Sequence, residues 1–141
     1  MIRSILTLSA IACLSLPIAA HAEKVTLHGT LAGEAEVPAK TTQGKGTVTA
    51  TVDTATKMVA YTFTFSDLSG PATAAHFHGP AEPGANAPVL LPIAAPLTSP
   101  IVGSASLTDA QMADMLAGKT YANVHTAANP GGEIRGQIMK K

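Results

Sequence analysis

Apolar and polar residues alternate with a period of two along most of the chain beyond residue 23, the pattern of strands with one buried face. Val25, Leu27 and Leu31 against Thr26 and Thr30 predict a first strand over about residues 24–31, with His28 on the opposite register. A polar loop follows through Glu34-Ala35-Glu36-Val37-Pro38. Val48, Ala50 and Val52 then oppose a row of threonines, and after the polar turn at 53–57 Val59, Tyr61, Phe63 and Phe65 oppose Thr62 and Thr64. These two runs predict a hairpin. Past the break at Leu68-Ser69-Gly70-Pro71, Ala74, His76 and His78 share one face of a strand while Ala75 and Phe77 share the other. Phe77 can therefore enter the core while both imidazoles look away from it.

Between residues 79 and 100 the chain is rich in Pro, Ala and Gly. Its one apolar run, Val89 to Ile93, is confined to an edge strand by Pro88, Pro92 and Pro96. Ile101 to Leu107 is a weakly alternating strand that leads into the one helix signal, over about residues 109–117. Thr108 and Gln111 form a capping box there, Asp109 lies in the first turn, Met112, Met115 and Leu116 make the apolar stripe, and Gly118 stops the helix. A second hairpin ends the chain: Tyr121, Asn123 and His125 on one face, Ala122 and Val124 on the other, a turn at 129–132, and a return strand over 133–139. The predicted fold class is all-β, an antiparallel Greek-key-like β-sandwich with one short helix.

The first 22 residues read as a secretory signal: Arg3, an apolar run from Ile5 to Ala20, and an A-x-A cleavage site at Ala20-His21-Ala22. Cleavage after Ala22 leaves one domain over residues 23–141, periplasmic or secreted, with no membrane insertion after cleavage. Ile11-Ala12-Cys13 is a loose lipobox, which keeps lipidation at Cys13 as an alternative. Cys13 is the only cysteine, so the mature chain has no disulfide and depends on its core, its backbone pairing or a ligand. Loss of Arg3 would leave eight basic against nine acidic side chains, with no basic patch for nucleic acid.

His76 and His78, at i and i+2, stand on one strand face roughly 7 Å apart at the backbone, close enough to converge on one ion. His125, on another strand, is the candidate third ligand, and His28 a candidate fourth if the first strand pairs with the last. Neutral imidazoles suit copper or zinc, and export favours these over ferrous iron. The alternative is that the histidines are solvent-facing or fix a turn through a carbonyl. Glu133 and Arg135 share a face and read as a salt-bridge pair locking the last hairpin to its neighbour, or Glu133 as a carboxylate orienting His125 or His76; Asn123 is a donor beside His125 or a turn-stabilising amide. The methionines read as core. No serine lies in a nucleophile elbow and no carboxylates pair across a cleft, which argues against a hydrolase.

In combination, Phe65-Ser66-Asp67-Leu68-Ser69-Gly70, Ala75-His76-Phe77-His78-Gly79-Pro80-Ala81, Leu107-Thr108, Tyr121-Ala122-Asn123-Val124-His125-Thr126 and Gly131-Gly132-Glu133-Ile134-Arg135-Gly136-Gln137 resemble the CHRD domain, named after chordin and found in exported bacterial proteins. The resemblance covers nearly the whole of residues 23–141 and implies a secreted all-β domain; the small Ala122 is a mild departure. The H-x-H pair with a late third histidine is also similar in pattern to the copper ligands of copper/zinc superoxide dismutases, an analogy of ligand geometry. The leading expectation is a metal-handling protein that holds copper before zinc through His76, His78 and His125. A cell-envelope interaction or structural module with a protein partner and no metal is the alternative. Redox catalysis of the dismutase kind is the third reading, and an enzyme is the less favoured class.

Overall fold

Residues 22–141 are described by the structure, a computed structural model, and within them the alternating runs are strands: β1 (Lys24–Ala32), β2 (Lys45–Asp53), β3 (Met58–Ser66), β4 (Ala72–His78), β5 (Val89–Pro92), β6 (Ile101–Ser106), β7 (Thr120–Thr126) and β8 (Ile134–Lys140). All of the signal-like segment over residues 1–22 except Ala22, Cys13 included, lies outside the described residues. Helix α1 (Asp109–Leu116) starts with the capping box, Gln111 N–H donating to Thr108 Oγ1 and Thr108 N–H to Gln111 Oε1. It ends at Gly118, whose φ of +73° is the left-handed turn glycine takes without strain.

All strands pair antiparallel in one eight-stranded sheet, in the order β5-β4-β7-β8-β1-β2-β3-β6. On the solvent face of β1, β2 and β3, threonine hydroxyls bond across the strands, Thr26 to Thr51 at 3.0 Å and Thr47 to Thr64 at 2.6 Å. The opposite face carries Leu27, Val48, Val52, Val59 and Phe63, all fully buried.

The sheet curls so that its two halves face each other across that core. Gly136 lets β8 lie close against β1, since a Cβ there would strike the Thr30 carbonyl. The curl lays β3 over β4, with the Phe77 ring 5.2 Å from Phe63 and 5.8 Å from Tyr61 between centroids, both edge-to-face. The expected sandwich is thus a half-barrel whose two layers are continuous through β8 and β1. Three connections, β3 to β4, β5 to β6 and β6 to β7, join strands that are not neighbours in the sheet.

Helix α1 joins the two halves. The Lys57 ammonium is 2.7 Å from Asp109, while Gln111 Nε2 donates to the Leu90 carbonyl of β5 at 2.9 Å. Met115 is fully buried beneath the helix, as the stripe predicts.

Because Phe77 closes the core between the layers and also fixes the strand that carries His76 and His78, Phe77→Ala is expected to lower stability by about 3–5 kcal/mol. Urea unfolding without added metal measures it.

Candidate metal centre

The strand period places Ala75 and Phe77 of β4, Ala122 and Val124 of β7, and Ile134 and Ile138 of β8 in the core. The residues between them therefore share the other face of these three strands: His76 and His78, Tyr121, Asn123 and His125, and Arg135 and Gln137. Pairing aligns them in rows, His76 opposite Asn123, His78 opposite Tyr121, and Asn123 opposite Arg135. An outer face with this many polar groups would ordinarily be solvated, yet His78 is 9% exposed, His125 7%, Asn123 2% and Arg135 2%. Two loops cover it. One runs from β4 to β5 and reaches the site through Ala85, Asn86 and Ala87; the other follows β1 and brings Glu36. Asn86 Nδ2 ties them by donating to the Val37 carbonyl at 3.1 Å.

The hydrogen bonds set the protons on the rings. His78 Nδ1 faces the Ala87 carbonyl at 3.0 Å and His125 Nδ1 faces the Pro130 carbonyl at 2.9 Å. A carbonyl only accepts, so both Nδ1 atoms carry the proton and each neutral ring turns a lone pair inward from Nε2. His76 Nδ1 lies 3.0 Å from His125 Nε2, and one ligating atom from each of the three histidines lies within 4.8 Å of the others. A metal–nitrogen bond of about 2.1 Å allows at most about 4.2 Å between two ligands, so small ring rotations suffice for all three to bind one ion.

Electrostatics favour the metal-ready form. Burial, and then the His125 and His78 rings beside it, hold the pKa of His76 down at about 4. Burial also lowers that of His78, against the opposing hydrogen bond to the Ala87 carbonyl. At neutral pH both rings are uncharged, so no imidazolium charge repels a cation. His76 is the least covered of the three.

Tyr121 supports the centre from within the same row. Its ring stacks on His78 at 4.7 Å with 3° between planes, from the β4 side, and the Arg135 guanidinium carbon lies 3.4 Å from its centroid, from the β8 side. Arg135 further donates to Asn86 Oδ1 at 2.9 Å and to the Ala85 carbonyl, holding the loop that carries the His78 acceptor.

The remaining expected residues lie elsewhere. His28 does reach β8 through the predicted pairing of first and last strands, but opposite Met139; its Nδ1 is 3.4 Å from Thr49 Oγ1, outside the histidine group. Glu133 and Arg135 do not form the expected salt bridge, since the chain enters β8 between them and each finds other partners. Glu133, fully buried, accepts from Thr42 Oγ1 at 2.6 Å, Thr126 Oγ1 at 2.6 Å, Ser69 N at 2.8 Å and Ser69 Oγ at 2.5 Å. No hydrogen bond joins it to His125 or His76 among the described residues. It is a knot that ties three segments beneath the site. Glu36, Tyr121 and Asn86 were not among the expected site residues. Tyr121 was at least visible on the face of His125; a lone glutamate in a loop gives no signal of where the loop folds.

The family model described as the CHRD domain matches residues 27–138. No curated protein and no solved structure matches the chain.

Burial raises the pKa of Glu133, but its four hydrogen bonds together outweigh that and bring it down to about 2. A carboxyl whose folded pKa lies below the ordinary value of 4.5 adds stability at neutral pH that is lost as pH falls from about 4.5 to about 2. Glu133→Gln is expected to lower stability at pH 7 by about 3 kcal/mol and to remove that stretch of acid dependence, read by urea unfolding across pH.

Proposed function

The chain belongs to the CHRD domain family, and from that premise and the histidine geometry we propose that it is an exported protein that binds a transition-metal ion, copper before zinc, through His76, His78 and His125, and serves in metal handling or buffering. The observation that carries this reading is the pair of carbonyls, Ala87 and Pro130, that take the Nδ1 protons of His78 and His125. They leave two inward lone pairs in a site sheltered from water, and His76 brings a third nitrogen 3.0 Å from His125 Nε2. Buried acceptors that face one another are repulsive unless a donor or a cation stands between them. An ion held by imidazole nitrogens, with neither thiolate nor carboxylate among the histidine ligands, fits copper or zinc and not the hard cations that prefer oxygen. The same ion would tie β4 to β7, a cross-link in a chain whose described residues hold no cysteine.

Export rests on the sequence of residues 1–22. The polypeptide purified from the periplasm or medium of an exporting host is expected to begin at Glu23; a cytosolic protein that begins at Met1 would overturn that part.

Titration of the purified protein with Cu(II), Cu(I) and Zn(II) is expected to show one tight site that raises the thermal midpoint. The triple variant His76→Ala, His78→Ala, His125→Ala is expected to lose both the binding and the rise. Equal affinity and midpoint in the two proteins would remove the metal reading and leave the envelope interaction module. Superoxide turnover by the loaded protein would move the reading to redox catalysis.

A further inference from the structure

Asn123 stands where a fourth donor belongs. Its Oδ1 lies 3.0 Å from His125 Nε2 and 3.1 Å from His78 Nε2, and His125 Nε2 is in turn 3.0 Å from His76 Nδ1. These contacts are three consecutive edges of a four-cornered ring of donor atoms, in the order His76, His125, Asn123, His78. Two donors about 2.1 Å from one ion and at right angles to each other stand about 3.0 Å apart, so edges of this length suit a tetragonal ion such as Cu(II).

The ring could instead be an ordinary hydrogen-bond network if the amide were turned over, its Nδ2 donating to both Nε2 atoms. Glu36 opposes that arrangement. The residue is 7% exposed, and Oε1 is buried with no hydrogen-bond partner. It borders the same space beside Gly132 as the Asn123 amide nitrogen: a Cβ added to Gly132 would collide with Glu36 Oε1 and come within 2.9 Å of Asn123 Nδ2. The unpartnered Oε1 is an acceptor, which favours Nδ2 on its side and Oδ1 toward the imidazoles. Gly132, at φ +123°, leaves the room for the two side chains to meet.

Resting on the three-histidine reading, we propose that Asn123 Oδ1 is the fourth metal donor and that Glu36 is the positioning residue that keeps the amide oxygen turned inward. The result is a neutral ring of three imidazole nitrogens and one amide oxygen. Such a ring holds Cu(II) in a tetragonal set; Cu(I), which favours soft ligands, gains nothing from the oxygen.

The test compares wild type with Asn123→Leu, Asn123→Asp and Glu36→Leu, each titrated with Cu(II) and with Cu(I), and records the electron paramagnetic resonance spectrum of the Cu(II) forms. Asn123→Leu is expected to weaken Cu(II) by about ten- to a hundredfold, to leave Cu(I) nearly unchanged and to alter the spectrum. Asn123→Asp keeps an oxygen at the same corner and should retain Cu(II) affinity; Glu36→Leu should shift both affinity and spectrum toward those of Asn123→Leu. An Asn123→Leu protein with wild-type Cu(II) affinity and spectrum, or an Asn123→Asp protein as impaired as Asn123→Leu, would overturn the donor role. A Glu36→Leu protein that matches wild type would overturn the positioning role. A wild-type protein that binds neither ion overturns the histidine reading itself, an outcome distinct from the others.

Discussion

The state of the centre depends on where two backbone carbonyls sit: Ala87 O faces Nδ1 of His78 and Pro130 O faces Nδ1 of His125. Move either and the ring it orients is free to take the other tautomer or to rotate, and the inward lone pair is lost. Both carbonyls lie outside the strands. Pro130 is in the tight β7–β8 turn, whose geometry is fixed by hydrogen bonds among Thr126, Asn129 and Gly132 and by Glu133 beneath it. Ala87 is in a longer loop that Arg135 grips through Asn86 and Ala85, with Tyr121 Oη also donating to Ala87 O at 3.3 Å. The strands supply side chains and the loops supply their protonation state.

Much of the buried polarity follows from that arrangement. Arg135, Glu36, Asn123 and Glu133 are each withdrawn from water, a costly choice in a small domain unless each finds partners. Glu133 finds four donors, and Arg135 finds two oxygen acceptors and an aromatic face. Oε1 of Glu36 has no hydrogen-bond partner, and burial raises the carboxyl's pKa against the pull of Arg135 and Lys40 and hydrogen bonding to Val37 and Asn123. A chain that covers these groups with two loops, instead of leaving them on a wet sheet face, shelters His78 and His125 from water.

The strands were legible because their period of two is a local property. β3 has the bounds that the alternation predicts, and the capping box of Thr108 and Gln111 marks α1 at its true start. The face carrying His76, His78, Asn123 and His125 was legible for the same reason, as was Phe77 as the core anchor of β4. What period cannot give is the partner of each strand. The pairing of β4 with β7 joins segments distant in sequence, and the exclusion of His28 rests on its pairing opposite Met139. Loop folds are equally non-local: the salt bridge read from Glu133 and Arg135 failed because Thr42 and Ser69, distant in sequence, reach Glu133 first. Glu36 reaches Asn123 by the same kind of loop closure.

The most direct measurement is an anomalous-scattering map from crystals of the protein grown with Cu(II) or Zn(II). A single strong peak is predicted at about 2.1 Å from His76 Nδ1, His78 Nε2 and His125 Nε2, with both Nδ1 contacts to Ala87 and Pro130 retained. Metal peaks confined to His28 or other surface groups, with the three imidazoles unligated, would contradict it.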